Sequence, residues 1–249
     1  MASELVERKP GQFAEERFRA RRRAWLRRIW WALPLGALFE IGLFAGLGAV
    51  FAPRHMSFFW GLGIGVGVTM AAILADSPPH HIERWRQGAD GEKATARALR
   101  RLTRNGWVVV HDLDRRRGNI DHVLVGPPPI FLLDSKDLFG AVSVTGGRLS
   151  VRWREDPGDG YENRSMAPRI RVAAIELERA LRDGGIRQHR VQPVVVLWAR
   201  FEQRSIMSGD VAWVRGKDLA KVLEQRPAQL SPAELDEVAA FLRVTAAVA

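Results

Sequence analysis

Cysteine is absent from the chain. Disulfides, Cys-ligated zinc and thiol nucleophiles are therefore excluded, and the composition fits a reducing compartment. Lysine is scarce: Lys9, Lys93, Lys136, Lys217 and Lys221 stand against 33 arginines. This bias, with abundant Ala and Gly, suggests a GC-rich genome. It also makes each lysine informative, because arginine serves wherever any cation suffices. Acidic residues are in deficit, and the net charge of +10 points to an anionic partner, lipid head groups or nucleic acid, beyond what charge does for solubility. Long apolar runs are missing everywhere except between Ile29 and Ala75. A membrane part and a soluble part are expected.

Residues 1–28 form a basic segment that ends in Arg17, Arg19, Arg21, Arg22, Arg23, Arg27 and Arg28. Residues 29–52 and 57–75 read as two membrane spans, since about 20 apolar residues at 1.5 Å each cross a hydrocarbon core of about 30 Å. Trp25, Trp30 and Trp31 sit where an interfacial belt belongs. Pro53-Arg54-His55-Met56 leaves room only for a tight hairpin. A cleaved signal peptide fits less well: the first run exceeds an h-region of about 7–15 residues, and a second span follows at once. The Arg-rich flank before span one, the single Arg54 in the hairpin, and Arg84 and Arg86 after span two predict a bacterial inner (plasma) membrane protein. Both termini and the soluble domain are expected in the cytoplasm, with anionic membrane lipid as a partner of the arginine run. Gly42-x-x-x-Gly46 and the run Gly61, Gly63, Gly65, Gly67 suit close helix approach. Glu40, near the middle of span one, reads as a protonated or helix-paired acid. A proton-relay role would need a second intramembrane ionisable group, which span two lacks.

Residues 77–87, with Ser77-Pro78-Pro79, read as a linker, and 88–249 as the soluble domain. The adjacent His80 and His81 point apart on a helix or a strand, which argues against a metal site there. A helix is predicted over 90–104, stopped at Asn105-Gly106. Strands are predicted over Trp107–His111, Asn119–Val125, Ile130–Lys136 and Val191–Trp198, with a shorter one at Val211–Val214. Arg115–Gly118 and Pro127-Pro128-Pro129 read as turns, and Val142–Val144 with Leu149–Trp153 as a hairpin about Gly146-Gly147. Helices are predicted over 168–183, 216–225 and 232–244. This order implies an α/β fold, a mixed sheet flanked by helices, preceded by a two-helix transmembrane hairpin.

Chemistry concentrates on two strands. Asp134 and Lys136 are two apart and share a face, and Asp121 sits on the neighbouring strand. Phosphodiester hydrolysis needs a divalent ion to neutralise the phosphate and acidify water, and carboxylates are hard oxygen ligands for magnesium. A nearby ammonium stabilises developing charge, and Glu92 offers one more acid from the first helix. The plainer alternative is an Asp134–Lys136 ion pair at a strand end, with Asp121 merely flanking a turn.

Gly91-Glu92, the helix they open, Asn119-Ile120-Asp121-His122, the strand ending Asp134-Ser135-Lys136, and Gly140 together resemble the nuclease-related domain family (NERD), over roughly residues 88–200. That family is similar to the restriction-endonuclease-like fold with its D…(D/E)xK motif, and Val191–Trp198 fits its later apolar strand. The resemblance implies Asp121, Asp134 and Glu92 as ligands of a divalent cation such as Mg, Lys136 as the catalytic lysine, and nucleic acid as the partner. The family usually has Asn-Pro followed by Gln at the start of the next long helix. Here the stretch is Ala167-Pro168-Arg169-Ile170-Arg171, with Arg171 near the Gln position, so Arg171 and Arg169 are the expected nucleic-acid contacts. The expected function is a membrane-tethered, metal-dependent nuclease-like protein. The alternative is a non-catalytic nucleic-acid binder or scaffold that keeps the fold.

Overall fold

The computed structural model describes residues 9–115, 118–127, 129–153, 158–186 and 189–248. Arg116 and Arg117 of the expected basic turn, Pro128 of the proline turn and the start of the N-terminal segment lie outside the described residues. The chain divides into two units, Glu15–Arg86 and a second made of Met1–Ala14 with Gln87–Ala249.

In the first unit, α1 (Gln12–Ile29) carries the arginine run. Its helix is supported by Glu15 in the first turn and Arg27 and Arg28 in the last, which complement the helix dipole, and by the Glu15–Arg19 pair one turn apart. Some of these arginines have protein partners: Arg22 reaches Asp76 at 3.1 Å, and the Arg21 guanidinium lies 5.2 Å from the centre of the Trp85 ring. Next come α2 (Ala32–Phe51) and α3 (Met56–Asp76), joined by a 3-10 turn at Pro53–His55. Both are long and apolar enough to cross a membrane, and little of either is buried within the protein.

Three glycines let α2 and α3 touch. A Cβ added to Gly48 would come within 2.8 Å of Phe59, one on Gly63 within 3.0 Å of the Ile41 Cα, and one on Gly67 within 3.0 Å of the Ala37 carbonyl oxygen. The glycine run of span two therefore splits in function. Gly63 and Gly67, four apart, make the contact, whereas Gly61 and Gly65, and likewise Gly42 and Gly46 on α2, have nothing within 4 Å of an added Cβ. An added Gly67 Cβ lies 3.4 Å from the Ala37 Cβ, close to the usual disulfide separation of about 3.8 Å. Cysteines placed at Ala37 and Gly67, in a chain otherwise free of cysteine, are expected to oxidise to a disulfide read by mobility on a non-reducing gel. Adding Gly63→Leu should suppress that bond, and adding Gly42→Leu should not. Equal oxidation in both would contradict the packing.

The second unit is an α/β sandwich around one eight-stranded mixed sheet. The strands are β1 (Val108–Arg115), β2 (Gly118–Val125), β3 (Ile130–Thr145), β4 (Arg148–Arg152), β5 (Gly160–Asn163), β6 (Val191–Phe201), β7 (Ser205–Ser208) and β8 (Val211–Arg215). Their order is β1-β2-β3-β6-β8-β7, with β4 added to β3 and β5 to β4. The central β3–β6 and β6–β8 pairs are parallel, so these strands are covered on both faces and read as near-continuous apolar runs. Alternation then sorts the side chains. Phe131, Leu133, Val194 and Val196 face α4 (His80–Arg104) and α6 (Leu219–Glu224). Ile130, Leu132, Val195 and Leu197 face α5 (Met166–Asp183) and α7 (Pro232–Val248).

Three expectations change here. The stretch 77–87, expected as a linker, is helical from His80 onward, because α4 starts there with the Pro79 carbonyl accepting the Ile82 and Glu83 N–H groups. The strands expected at Ile130–Lys136 and Val142–Val144 are one strand, β3. β3 bends through an irregularity in its register with β6 between Asp137 and Ala141, where Gly140 adopts φ +110° and an added Cβ would lie 2.3 Å from the Arg152 carbonyl oxygen. Two short edge strands, β5 and β7, were not expected, and the predicted helix 216–225 begins as a 3-10 turn before α6.

Candidate active site

β2 and β3 run antiparallel with His122 opposite Leu133, which puts Asp121 opposite Asp134. The β2–β3 ladder ends at this point, and the Ser135 N–H donates to Asp121 Oδ2 at 2.7 Å. Along β3, alternation turns Asp134 and Lys136 to the α5 face, and Lys136 Nζ donates to Asp134 Oδ1 at 2.6 Å and to the Ser135 carbonyl at 3.3 Å. Between them Ser135 points the other way, where its hydroxyl meets Thr95 Oγ1 of α4 at 2.7 Å. Thr95 also accepts the Trp198 indole N–H at 2.8 Å. This buried hydrogen-bonded group locks α4, β3 and β6 behind the two charged residues, so their backbone is held from the rear.

Asp121, Asp134 and Lys136 line one pocket of about 220 Å³ with Asn119, Asn163, Ser165 and Arg169. Asn163 shapes its rim: its Oδ1 accepts the Ser165 and Met166 N–H groups at 3.0 and 3.1 Å, capping the start of α5. The positive end of that helix and the exposed Arg169 therefore face one side of a pocket whose lining also carries two carboxylates and an ammonium, and that side favours an anion.

Glu92 does not line this pocket. It lies on α4 and is only 7% exposed, and Gly91 makes its position feasible, since a Cβ there would come within 3.1 Å of the Asp137 Cβ. Burial first, then the charges of Asp121 and Asp112, push the Glu92 carboxyl up to about 9. Asp121 is pushed up to about 7, by burial and then by Asp134. Burial pulls the Lys136 ammonium down, but Asp134, Asp121 and Glu92 outweigh it and hold Lys136 above its usual range. His111 and His122 add no positive charge nearby. Their Nδ1 atoms are 2.7 Å apart, and burial lowers them to about 4 and about 3, so both rings are neutral.

These facts test whether a cation suits the site. Asp121, Asp134 and Glu92 crowd around one ammonium, Asp112 adds its charge to Glu92 and Asp121, and Glu92 Oε2 is buried with no hydrogen-bond partner among the described residues. The raised carboxyls mark a site short of positive charge, which a divalent ion would supply. The three expected ligands do not form a closed cage, however: no group of three His, Asp or Glu stands ready to hold a metal among the described residues. Asp121 and Asp134 line the pocket, and Glu92, buried on α4, does not. Two carboxylates are sufficient for magnesium, which keeps several waters.

The two arginines part company. Arg169 lines the pocket. Arg171 does not: its guanidinium pairs with Asp210 at 2.7 Å, because residues two apart on a helix point to nearly opposite sides. Asp112 escaped the sequence reading. It is buried, takes φ +57°, accepts the Phe13 N–H at 2.9 Å and is hydrogen-bonded by Asn119 of the pocket. Its strand position carries no signal, because it acts through a non-repetitive backbone kink.

No curated protein and no solved structure matches the chain. Among protein families, the nuclease-related domain (NERD) matches residues 87–198, which include α4 from Gln87 and the strands that supply Asp121, Asp134 and Lys136. The chain thus carries a nuclease-related domain, C-terminal to two helices long enough to cross a membrane.

Proposed function

We propose that this domain is a metal-dependent phosphodiesterase acting on nucleic acid, tethered to a membrane by α2 and α3. The observation that carries the reading is the pocket in which Asp121, Asp134 and Lys136 share one face beside the capped start of α5. Asp121 and Asp134 would hold the divalent ion. When bound, such an ion neutralises the phosphate and acidifies a water. Lys136 has an electrostatic part. Its raised affinity for the proton keeps it an ammonium at neutral pH, so it stabilises charge on the phosphate and cannot serve as a base. Arg169 and the N-terminus of α5 would orient the phosphate, while Asn163 keeps that helix end in place.

The full chain in detergent is expected to cut nucleic acid with magnesium and not with EDTA, and Asp134→Asn is expected to stop it. The other reading, a non-catalytic binder, draws on the direct Asp134–Lys136 pair, which satisfies Asp134 without a metal. Binding without cleavage at any divalent-ion concentration would favour it.

The arginines of α1 and the poorly charged Pro53–His55 turn support an orientation with both termini in the cytoplasm. Anionic lipid is the proposed partner of the arginine-rich end of α1, where Arg27 and Arg28 adjoin the first apolar helix. A reporter enzyme fused after Ala249 should be active only when of the cytoplasmic type. Activity of an export-dependent reporter would reverse the topology.

A further inference from the structure

β5 is the outermost strand of the β3–β4–β5 branch, and its register with β4 sets Tyr161 opposite Val151 and Asn163 opposite Leu149. Val151 and Leu149 both belong to the core under α5. Tyr161 and Asn163 therefore share the α5 face of the sheet, two residues and about 7 Å apart along the strand. Asn163 is a wall of the candidate active site. Tyr161, the only tyrosine in the chain, is 43% exposed, and Trp153, at the end of β4, is 36% exposed. Their ring centres lie 6.4 Å apart at 49°, a tilted pair. Trp153 is held in place by its own backbone, whose N–H donates to the Asp159 carbonyl at 3.2 Å.

We infer that Trp153 and Tyr161 form a stacking platform for an unpaired base, and that the substrate of the adjoining pocket is single-stranded nucleic acid. The inference rests on the nuclease reading for what the pocket binds. Three observations commit the platform to this occupant. It is continuous with the pocket through Asn163, so a base on Tyr161 belongs to a nucleotide neighbouring the one whose phosphate meets Lys136 and Arg169. The cations Lys136 and Arg169 and the start of α5 supply the charge complement for a phosphate backbone on that same side. Finally, Tyr161 lies on the edge strand β5 and Trp153 just past the end of β4, and both rings are partly exposed. Bases within a duplex are already paired and stacked and offer no free face, whereas every unpaired base does.

The test is equilibrium binding, by fluorescence anisotropy, of a labelled single-stranded oligonucleotide and of its blunt duplex to the full chain in detergent with EDTA. Cleavage is measured separately with magnesium. Wild type should prefer the single strand. Trp153→Ala and Tyr161→Ala should each weaken single-strand binding about 10-fold, within the range that one base–ring contact contributes, and leave duplex binding unchanged. Trp153→Phe and Tyr161→Phe, which keep a ring in the same place, should retain most of the affinity and show that a loss in the alanine variants is not misfolding. Unchanged single-strand binding in both alanine variants, or an equal loss for duplex and single strand, overturns the platform even if the protein cuts. Selective loss of single-strand binding in a protein that never cuts upholds the platform and rejects the nuclease reading alone.

Discussion

Lys136→Ala is expected to lower the cleavage rate by about 10³-fold, the upper end of what one preorganised donor contributes to a charged transition state. Lys136 is the only lysine on the pocket, and its Nζ sits 2.6 Å from Asp134 Oδ1. It thus lies at the carboxylate that the proposed metal would use. The consequence for ion binding is specific. Removing the ammonium leaves Asp134 with no competing cation, so divalent-ion affinity measured by titration calorimetry should hold or rise in Lys136→Ala. In Asp134→Ala, where a carboxylate is gone, it should fall. Lys136→Arg should not rescue cleavage, because a planar guanidinium does not replace a compact ammonium at a site shaped around it. Because the Lys136 charge holds the Asp121 carboxyl down, its loss should also move the acid limb of the pH profile to higher pH. Cleavage by Lys136→Ala within 10-fold of wild type would remove Lys136 from the mechanism.

Glu92→Gln is expected to stabilise the metal-free protein at pH 8–9 by about 1–3 kcal/mol, the usual penalty of a buried polar group left without a partner. In a chain of this size that is a rise of several degrees in Tm. Glu92 is raised to about 9, well above its unfolded value, so the native state holds this proton more tightly than the unfolded one. Its contribution to stability is complete below about pH 4.5 and is lost as pH rises toward 9. Asp121, raised to about 7, acts in the same direction over a lower window. His111 and His122 act in the opposite direction. They are lowered to about 4 and about 3, so they cost stability as pH falls below about 6.5 and contribute nothing above it. Between pH 6.5 and 9 the raised carboxyls of Asp121 and Glu92 give up their protons, and wild-type Tm in EDTA should decline. Magnesium should flatten that decline by replacing the missing positive charge, and Glu92→Gln should flatten it without magnesium. A pH-independent Tm in EDTA over this range, or a lower Tm in Glu92→Gln, would mean that Glu92 does not sense the acid cluster.

Much of this architecture was legible in the residues because its signals are local. Length and uniform apolarity mark α2 and α3. The alternation of Asp134, Ser135 and Lys136 settles which side chains share a face before any partner strand is known, because successive residues on a strand point to opposite sides. The parallel core strands β6 and β8 announce themselves as apolar runs. The edge strands β5 and β7 do not. Gly160–Asn163 and Ser205–Ser208 are short and half exposed, so they carry no burial pattern and become strands only because β4 and β8 offer them hydrogen bonds.

By itself, then, the chain determined the apolar helix pair, the absence of thiol chemistry, and the one-sided display of Asp134 and Lys136, all of which follow from composition and backbone periodicity. Tertiary structure decided the rest. It selected Gly63 and Gly67 and left Gly42 and Gly46 without a contact, since helix packing depends on which face meets its neighbour. It sent Arg169 to the pocket and Arg171 to Asp210, and it buried Glu92 away from the pocket lining while bringing Asp121 level with Asp134. Strand register and helix rotation are set by contacts between residues distant in sequence, and neither can be read from a segment alone.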